Sequence, residues 1–269
     1  MIPFFRKLRK KMADDNRPLK YARYAVGEIV LVVIGILIAL QVNNWNLDSI
    51  ALNESRNIHD RLEEDLSNEK IVLTGRIEYY LMAQDHAKKT VEALTDHPDS
   101  LGSEFIINAY QASQSWMYRN VRDTYDELIS TGSIKLIPDQ ELRKRVSSYY
   151  DETDIYMRIW YNRVDYRELA RKHIPYDIQK KIQSTCEIWM TTNQQFGANV
   201  IVENCELELT EDEILRTMTL LNQNNQLRDG HFLLAANRQV ADLELKIGLY
   251  KRKLKANEEL LKLMLVSKP

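Results

Sequence analysis

The distribution of apolar residues separates one uninterrupted stretch from a long periodic remainder. The stretch is residues 24–42, YAVGEIVLVVIGILIALQV, in which Glu28 is the only charged residue. About 20 residues of α-helix cross a bilayer core, so this stretch predicts one N-terminal transmembrane helix, which we place at 24–45. Tyr24 and Trp45 lie at its two ends, where aromatic side chains anchor a helix in the membrane interfaces.

Beyond Trp45, apolar residues recur at intervals of three and four, the spacing of a buried helix face. The spacing is most regular near the C-terminus, where steps of three and four alternate through Leu233, Ala236, Val240, Leu243, Ile247, Tyr250, Leu254, Asn257, Leu261 and Met264. Such alternation is a heptad seam, and one Asn at a core position fixes its register. The seam packs either against the first long helix of the same chain or against a second copy of the chain.

Few helix breakers interrupt this remainder. The chain has only 8 Gly and 6 Pro, well below the average usage of roughly 7% and 5%. Gly75 is the only Gly or Pro between residues 46 and 96, so one long helix is expected there. We therefore predict an all-α fold, with the transmembrane helix followed by an antiparallel long-helix bundle or coiled-coil-like domain over residues 46–269.

Local signals place several helix ends. Gly132 is expected as the left-handed residue after a helix, and Asp139 as the N-cap of the next helix. Thr210 and Glu213 have the spacing of a capping box, so another helix is expected to begin there. Further helices are expected at 103–119, 121–131 and 174–190.

The least helical part of the chain is an irregular excursion at 191–209, TTNQQFGANVIVENCELEL. It contains either a short strand or a packed loop at 200–202. Loops on rigid scaffolds tend to carry binding residues. We therefore predict a contact loop that contains Phe196, Val200, Ile201 and Val202. The two cysteines, Cys186 and Cys205, either form a bridge that closes a loop of about 20 residues or are two buried thiols.

Charge is distributed unevenly about the predicted membrane helix. Residues 1–23 carry a net charge of +6, which leaves −8 for the rest of a chain whose total is −2. Basic residues flank membrane helices on the cytoplasmic side. We therefore expect residues 1–23 to form a basic cytoplasmic amphipathic segment, either on the lipid surface or as a solvated, frayed terminus, and the C-terminal domain to lie on the far side. The acidic balance of that domain argues against nucleic acid as a partner.

The apolar stretch also indicates that the helix is retained. It is longer than the roughly 7 to 15 apolar residues of a cleaved signal peptide, and no A-x-A cleavage site follows it. It therefore predicts an uncleaved signal-anchor. The expected localisation is the inner membrane of a bacterial cell, as a single-pass protein with a periplasmic, extracytoplasmic domain in contact with the lipid bilayer through its anchor.

Small and acidic residues within the anchor suggest two further roles. Gly35 and Ala39 are four residues apart and Gly27 lies eight before Gly35, a small-residue pattern that permits close helix packing and predicts a homo-oligomer. Glu28 is either an intramembrane ion or proton site or a shallow carboxylate within reach of the interface or of Arg23 on a neighbouring chain.

Residues 27–46, GEIVLVVIGILIALQVNNWN, resemble the signature of an uncharacterised bacterial single-pass membrane family, domain of unknown function 6090. Residues 124–150, TYDELISTGSIKLIPDQELRKRVSSYY, are similar to a segment that recurs in the downstream domain of that family. The resemblance implies a short basic N-terminus, a membrane anchor and a helical domain. It implies no activity.

Signals for catalysis are sparse. The five His share no metal-ligand spacing, and the sequence has neither a phosphate-binding Gly-rich loop nor a G-x-S-x-G motif. We therefore expect no metal site, no cofactor and no enzymatic activity. The favoured function is a membrane-anchored scaffold of the cell envelope, with an envelope protein as partner. The alternatives are an oligomeric ion channel that uses Glu28 and an extracytoplasmic ligand sensor that acts through a partner.

Overall fold

The computed structural model describes residues 18–116, 120–160, 165–193, 196–201, 205–225, 227 and 229–268. The greater part of the predicted basic segment at 1–23 therefore lies outside the described residues. The α-helices are α1 (Pro18–Asp96), α2 (Ser103–Ala112), α3 (Asp123–Thr131), α4 (Gln140–Trp160), α5 (Asp165–His173), α6 (Tyr176–Cys186), α7 (Glu211–Leu221) and α8 (His231–Val266). Short 3₁₀ helices are Ser133–Leu136 and Gln223–Asn225, and a hairpin is formed by β1 (Glu187–Asn193) and β2 (Phe196–Ile201). The predicted all-α class is confirmed, with this hairpin added.

The chain divides into two units, one that ends at Asn57 and one that spans Ile58–Lys268. The described part of the first unit is helix, and its apolar segment is not buried by protein. Within the described residues, α1 is the one helix long and apolar enough to cross a membrane. It is therefore a candidate membrane span by length and composition.

The folded unit, Ile58–Lys268, contains two apolar clusters. The larger has Tyr80, Tyr110 and Phe232 among its fully buried side chains and draws on α1, α2, α5, α6, α7 and α8. The smaller is built around Leu66 and Tyr150 by α1, α3, α4 and α8. Helices α1 and α8 contribute to both clusters, so their pairing organises the folded unit.

Helix α8 packs antiparallel to α1 within the same chain. Residue numbers rise along one helix as they fall along its partner. The contacting pairs are His59 with Met264, Glu69 with Lys253, and Gln84 with Val240. The heptad seam was expected to pack either on the first long helix of the same chain or on a second copy of the chain. In the structure it packs on the first long helix of the same chain.

The buried face of α8 differs from the predicted seam by one residue at three positions. Phe232, Lys253 and Leu260 are buried, whereas the predicted Leu233, Leu254 and Leu261, one residue later in each case, are half-buried. The Lys253 ammonium is accommodated because the buried carboxylate of Glu69 lies 3.0 Å away. Apolar spacing could not identify a lysine as a core residue.

The predicted helix ends are confirmed. Gly132 follows α3 with a φ of +69°. Asp139 Oδ1 accepts a hydrogen bond from the backbone N–H of Glu141 at 2.8 Å. Thr210 and Glu213 form the reciprocal capping box at the start of α7. These signals act through neighbouring backbone groups, which is why the sequence alone could place them.

Two helices end earlier than predicted. The helix expected at 103–119 ends at Ala112, where the Ser113 hydroxyl donates to the Tyr110 carbonyl at 2.6 Å and so offers the backbone a local alternative to helix. The helix expected at 174–190 ends at Cys186 and continues as β1. The sequence of that strand, EIWMTTN, is rich in residues that favour strands.

Candidate functional site

The apolar segment of α1 exposes side chains around its whole circumference. Tyr24 and Trp45, the predicted interface anchors, are both exposed, Trp45 to 73%. At 1.5 Å per residue they lie about 32 Å apart along the helix, close to the roughly 30 Å thickness of a bilayer core. An exposed apolar surface of this size calls for lipid or an apolar partner.

The predicted packing stripe of the anchor is open in the single chain. A Cβ atom added to Gly27 or to Gly35 would meet no other atom within 4 Å. With 3.6 residues per turn, Gly35 and Ala39 are about 40° apart around the helix, whereas Gly27 is about 80° from Gly35. Gly35 and Ala39 therefore form the narrow part of the stripe, and Gly27 lies at its edge.

Glu28 lies at the N-terminal end of the apolar segment, four residues after Tyr24. Its side chain is exposed on the helix. A long acidic side chain one turn inside a membrane can reach the interface. This position favours the shallow carboxylate, and an ion or proton site at Glu28 stays a prediction.

Strands β1 and β2 form an antiparallel hairpin in the region predicted to be irregular. Pairing runs from Glu187 opposite Ile201 at the base to Asn193 opposite Phe196 at the tip. Among the described residues, these strands pair only with each other. The outer edges of the hairpin therefore carry backbone N–H and C=O groups that the strand of another protein can pair with.

The four residues of the predicted contact loop have different positions. Phe196 and Val200 belong to β2, whereas Val202 lies outside the described residues. Ile201 is 1% exposed and packs in the larger apolar cluster. Ile201 therefore fixes the base of the hairpin, and its side chain is not available to a partner.

A disulfide closes the same base. Cys186, the last residue of α6, is bonded to Cys205, 19 residues later, with a Cα–Cα distance of 5.2 Å. Of the two alternatives for the cysteines, the structure has the bridge. A bridge over a loop of this length stabilises by about 3 kcal/mol in the chain-entropy model.

A polar cluster connects the hairpin to α5. The Gln114 side chain donates to the carboxylate of Glu187 and accepts from Arg171 Nη2 at 2.9 Å. Arg171 Nε also donates to Ser113 Oγ at 3.0 Å. Burial raises the pKa of the Glu187 carboxyl, and the Arg171 guanidinium partly offsets this rise. Because these groups bind one another, the cluster positions the first residue of β1.

A second buried polar network lies between α1 and α8. Glu69 is 0% exposed and Lys253 8% exposed, and the Lys253 ammonium lies 3.0 Å from Glu69 and 3.0 Å from Asn120 Oδ1. The second oxygen of Glu69 accepts from the Val121 N–H at 2.9 Å. Burial raises the pKa of Glu69, and Lys253 opposes that rise. The Asn257 side chain also donates a hydrogen bond to a backbone carbonyl of α1 at 3.0 Å. Together these contacts fix the register of α8 against α1.

Among the described residues, one group of side chains has the residue types and the spacing that could hold a metal ion. His59, Asp60 and Glu63 on α1 bring one ligand atom each to within 4.8 Å of one another. The sequence predicted no metal site, because the five His share no metal-ligand spacing. The sequence did contain a signal for this group. His59 is followed by an acid at the next position and by another one helical turn later, so the three side chains lie on neighbouring faces of one helix.

Comparison with known protein families shows to which family the chain belongs. The model of a Family of unknown function (DUF6090) matches residues 28–175, more than half of the chain. The matched range includes nearly all of the anchor signature and the whole of segment 124–150. No curated protein matches the chain, and no solved structure matches it. The chain belongs to the family of unknown function DUF6090.

Proposed function

We propose that this protein is a membrane-anchored helical scaffold of the bacterial cell envelope and that it has no catalytic function. The observation that carries the proposal is the exposed apolar segment of α1 at 24–45. Each Å² of apolar surface removed from water stabilises by about 25 cal/mol. A helix that is apolar on every face is therefore most stable inside a bilayer.

Two features support an orientation in the inner membrane with the N-terminal flank in the cytoplasm. The net charge of +6 at residues 1–23 favours retention of that flank on the cytoplasmic side. The bridge between Cys186 and Cys205 suits an oxidising compartment, such as the periplasm. We therefore place the folded unit on the periplasmic side.

The scaffold role is supported by the kinds of surface that the chain offers. Buried polar groups of the folded unit bind one another in the networks of Glu69 and of Gln114. Among the described residues, no further strand pairs with the edges of β1 and β2, and nothing packs against Gly35. We assign the hairpin edges to an envelope protein partner and the small-residue stripe to self-association.

Membrane anchoring is tested with a double variant, Ile34→Lys with Ile38→Lys. Each Lys near the centre of a membrane helix costs about 2.5–3.5 kcal/mol. We expect the variant to move from the carbonate-resistant membrane pellet to the soluble or degraded fraction. The matched control places two Lys at exposed apolar positions of α8, Leu234→Lys with Leu245→Lys, and should remain in the pellet. Equal behaviour of the two variants would contradict the anchor.

The orientation is tested by protease protection in spheroplasts. We expect external protease to digest the folded unit in intact spheroplasts, because that unit faces the periplasm. A cytoplasmic protein of the same cells serves as the control for intact membranes. A folded unit that is digested only after detergent lysis would overturn the orientation.

Self-association is tested by the mass of the detergent-solubilised protein after cross-linking. Gly35→Leu fills the narrow part of the stripe, and we expect it to reduce the oligomer to monomer. Val33→Leu adds a side chain on a different face of the same helix and is the matched control. A wild-type protein that is monomeric in several detergents would remove the homo-oligomer from the proposal.

Binding through the hairpin is tested with photo-cross-linking residues placed at Thr191 and Asn199. We expect one of the two to form an adduct with an envelope protein in cells, because the two residues lie on different strands and a partner strand pairs along one edge of the hairpin. A cross-linker at Leu234, which is exposed on α8, is the control and should not form that adduct. Identical adducts from all three positions would argue against the hairpin as the contact.

The same protein preparation separates the two alternative functions. A channel that depends on Glu28 should conduct ions in liposomes and lose conductance in Glu28→Gln. A ligand sensor should gain thermal stability with a small molecule, whereas a scaffold should not. Conductance that Glu28→Gln abolishes would replace the scaffold proposal with the channel.

A further inference from the structure

The imidazole of His59 has a fixed arrangement of its two nitrogens. His59 is 5% exposed, and its Nε2 lies 2.9 Å from the backbone carbonyl oxygen of Met264 on α8. A carbonyl oxygen can only accept a hydrogen bond, so Nε2 carries a proton. In the neutral ring the lone pair is therefore on Nδ1. A metal-binding histidine is commonly oriented in this way, with its other nitrogen donating to a carbonyl or carboxylate.

The Nδ1 atom of His59 has no hydrogen-bond partner among the described residues. The Glu63 Oε2 atom lies 4.0 Å away, which is too far for a hydrogen bond. A buried acceptor without a partner is costly, and such an atom in a native protein calls for an explanation. The lone pair lies in the grouping of His59, Asp60 and Glu63, whose ligand atoms all lie within 4.8 Å of one another.

We propose that His59 Nδ1, Asp60 and Glu63 bind one divalent transition-metal ion of the zinc type on the surface of the folded unit. Ligand atoms about 2.0–2.2 Å from a tetrahedral Zn²⁺ ion are about 3.4 Å apart. The distances between these ligand atoms, all within 4.8 Å, have to shorten by about 1.4 Å or less to reach that geometry, and the side chains that move are Asp60, which is exposed, and Glu63, which is half-buried. The fixed imidazole then supplies the first ligand, and water completes the coordination.

The ligand set selects the class of ion. One imidazole nitrogen with two carboxylates suits Zn²⁺ and its transition-metal neighbours, whereas Mg²⁺ and Ca²⁺ prefer oxygen ligands alone. His59 also connects α1 to the end of α8 through Met264. The ion therefore stabilises the end of the folded unit at which these helices meet, which is separate from the hairpin and from the scaffold role.

Lys268 is the competing cation at this site. Its ammonium lies 3.2 Å from Asp60 Oδ1, and both side chains are largely exposed. An exposed ion pair contributes little to stability, so a divalent ion can displace the lysine from Asp60 or bind beside it. Removal of the lysine charge should strengthen metal binding, an effect in the opposite direction from loss of a ligand.

The test uses the full chain without a histidine tag, in detergent, stripped with EDTA and titrated with ZnCl₂ against a chelating indicator. We expect one Zn²⁺ per chain, with Mg²⁺ and Ca²⁺ unable to compete. Glu63→Gln and Asp60→Asn should each weaken Zn²⁺ binding at least 10-fold. Lys268→Met should strengthen it about two- to five-fold. Co²⁺ in place of Zn²⁺ should give a visible absorption band that Glu63→Gln abolishes.

The matched control is Glu64→Gln, which makes the same charge change at an exposed position one residue away. It should bind Zn²⁺ as the wild type does, and Zn²⁺ should raise the melting temperature of both proteins but not of Glu63→Gln. If the wild type binds no Zn²⁺, or if Glu63→Gln and Glu64→Gln bind it equally, the proposal is wrong. His59 and Glu63 are then an ordinary pair of helix neighbours.

Discussion

Helix α1 contains two apolar patterns in different surroundings. From residue 24 to residue 42 nearly every side chain is apolar, and the side chains are exposed around the helix. Beyond residue 57 the apolar residues recur every three or four positions and are buried in the folded unit. The buried apolar residues of this part are Ile58, Leu62, Leu66, Leu73, Ile77, Tyr79, Tyr80, Ala83 and Ala87.

The difference shows that the arrangement of apolar residues, and not their number, decides what surrounds a helix. A continuous apolar surface has no preferred side, so lipid on all sides suits it. A stripe at helical spacing has one preferred side and packs on other helices. The periodic part of α1 also buries the charged Glu69, because Lys253 on α8 lies within 3.0 Å of it.

The largest expected effect comes from breaking the buried ion pair of the periodic part. Lys253→Met leaves the Glu69 carboxylate buried without its partner, and we expect a loss of about 3–5 kcal/mol in the free energy of unfolding. Denaturant unfolding of the full chain in detergent measures this loss. Lys70→Met breaks an ion pair with Glu258 between the same two helices, but both side chains are more than 40% exposed. This control should cost about 1 kcal/mol or less.

A pair of Leu→Ala substitutions compares the two patterns directly. Leu66 is fully buried, so Leu66→Ala should lower the free energy of unfolding by about 2–5 kcal/mol. Leu37 is 58% exposed in the first unit, and Leu37→Ala should leave unfolding of the folded unit unchanged. Denaturant unfolding followed by circular dichroism measures both variants. Equal losses would mean that the two segments do not differ as described.

The disulfide tests the part of the folded unit that departs from helix. Cys186→Ser with Cys205→Ser should lower the free energy of unfolding by about 3 kcal/mol, because the unfolded chain is no longer constrained. Reduction of the wild type with dithiothreitol should lower the melting temperature to a similar degree, and the double variant should not respond to it. A wild-type melting temperature that ignores the reductant would contradict the bridge.

The smallest effect concerns a buried histidine in the periodic part of α1. His86 Nδ1 lies 2.7 Å from Asn108 Oδ1, and burial lowers the pKa of His86 below its ordinary value of 6.5. The unfolded chain therefore binds a proton near pH 6.5 that the folded chain does not, so stability falls as the pH drops below that value. The slope for one proton is at most about 1.4 kcal/mol per pH unit.

We expect His86→Gln to flatten the pH dependence of unfolding between pH 7.5 and 5.5. His97→Gln, at an exposed position, should retain the wild-type slope. Denaturant midpoints measured across this range distinguish the two variants. A slope that is unchanged in His86→Gln would mean that another group controls this range.

Much of the fold followed from local patterns in the sequence. The long helix through 46–96, the caps at Asp139 and Thr210 and the terminator Gly132 depend on residues within one or two turns of one another. The hairpin was harder to predict because strand-favouring residues do not identify the segment with which they pair. Its strand pairing involves residues such as Glu187 and Ile201, which are 14 positions apart.

The candidate sites followed from the sequence only in part. The apolar segment of α1 and its small residues were evident because a continuous apolar run is a property of the sequence itself. The buried Lys253 was not, since its acceptor, Glu69, lies far away in the sequence. The grouping around His59 is local in the sequence, but the ring nitrogen that faces it is selected by the distant Met264, which the sequence could not identify.

The sequence by itself determined where this chain is continuously apolar, where it is periodic and where most of its helices begin and end. Those properties depend on side-chain transfer into an apolar environment and on hydrogen bonds between near neighbours. The tertiary structure decided which helix α8 packs against, which cysteine state is present and which polar groups are buried together. Each of these depends on a partner distant in the chain, whose position is fixed only when the whole unit folds.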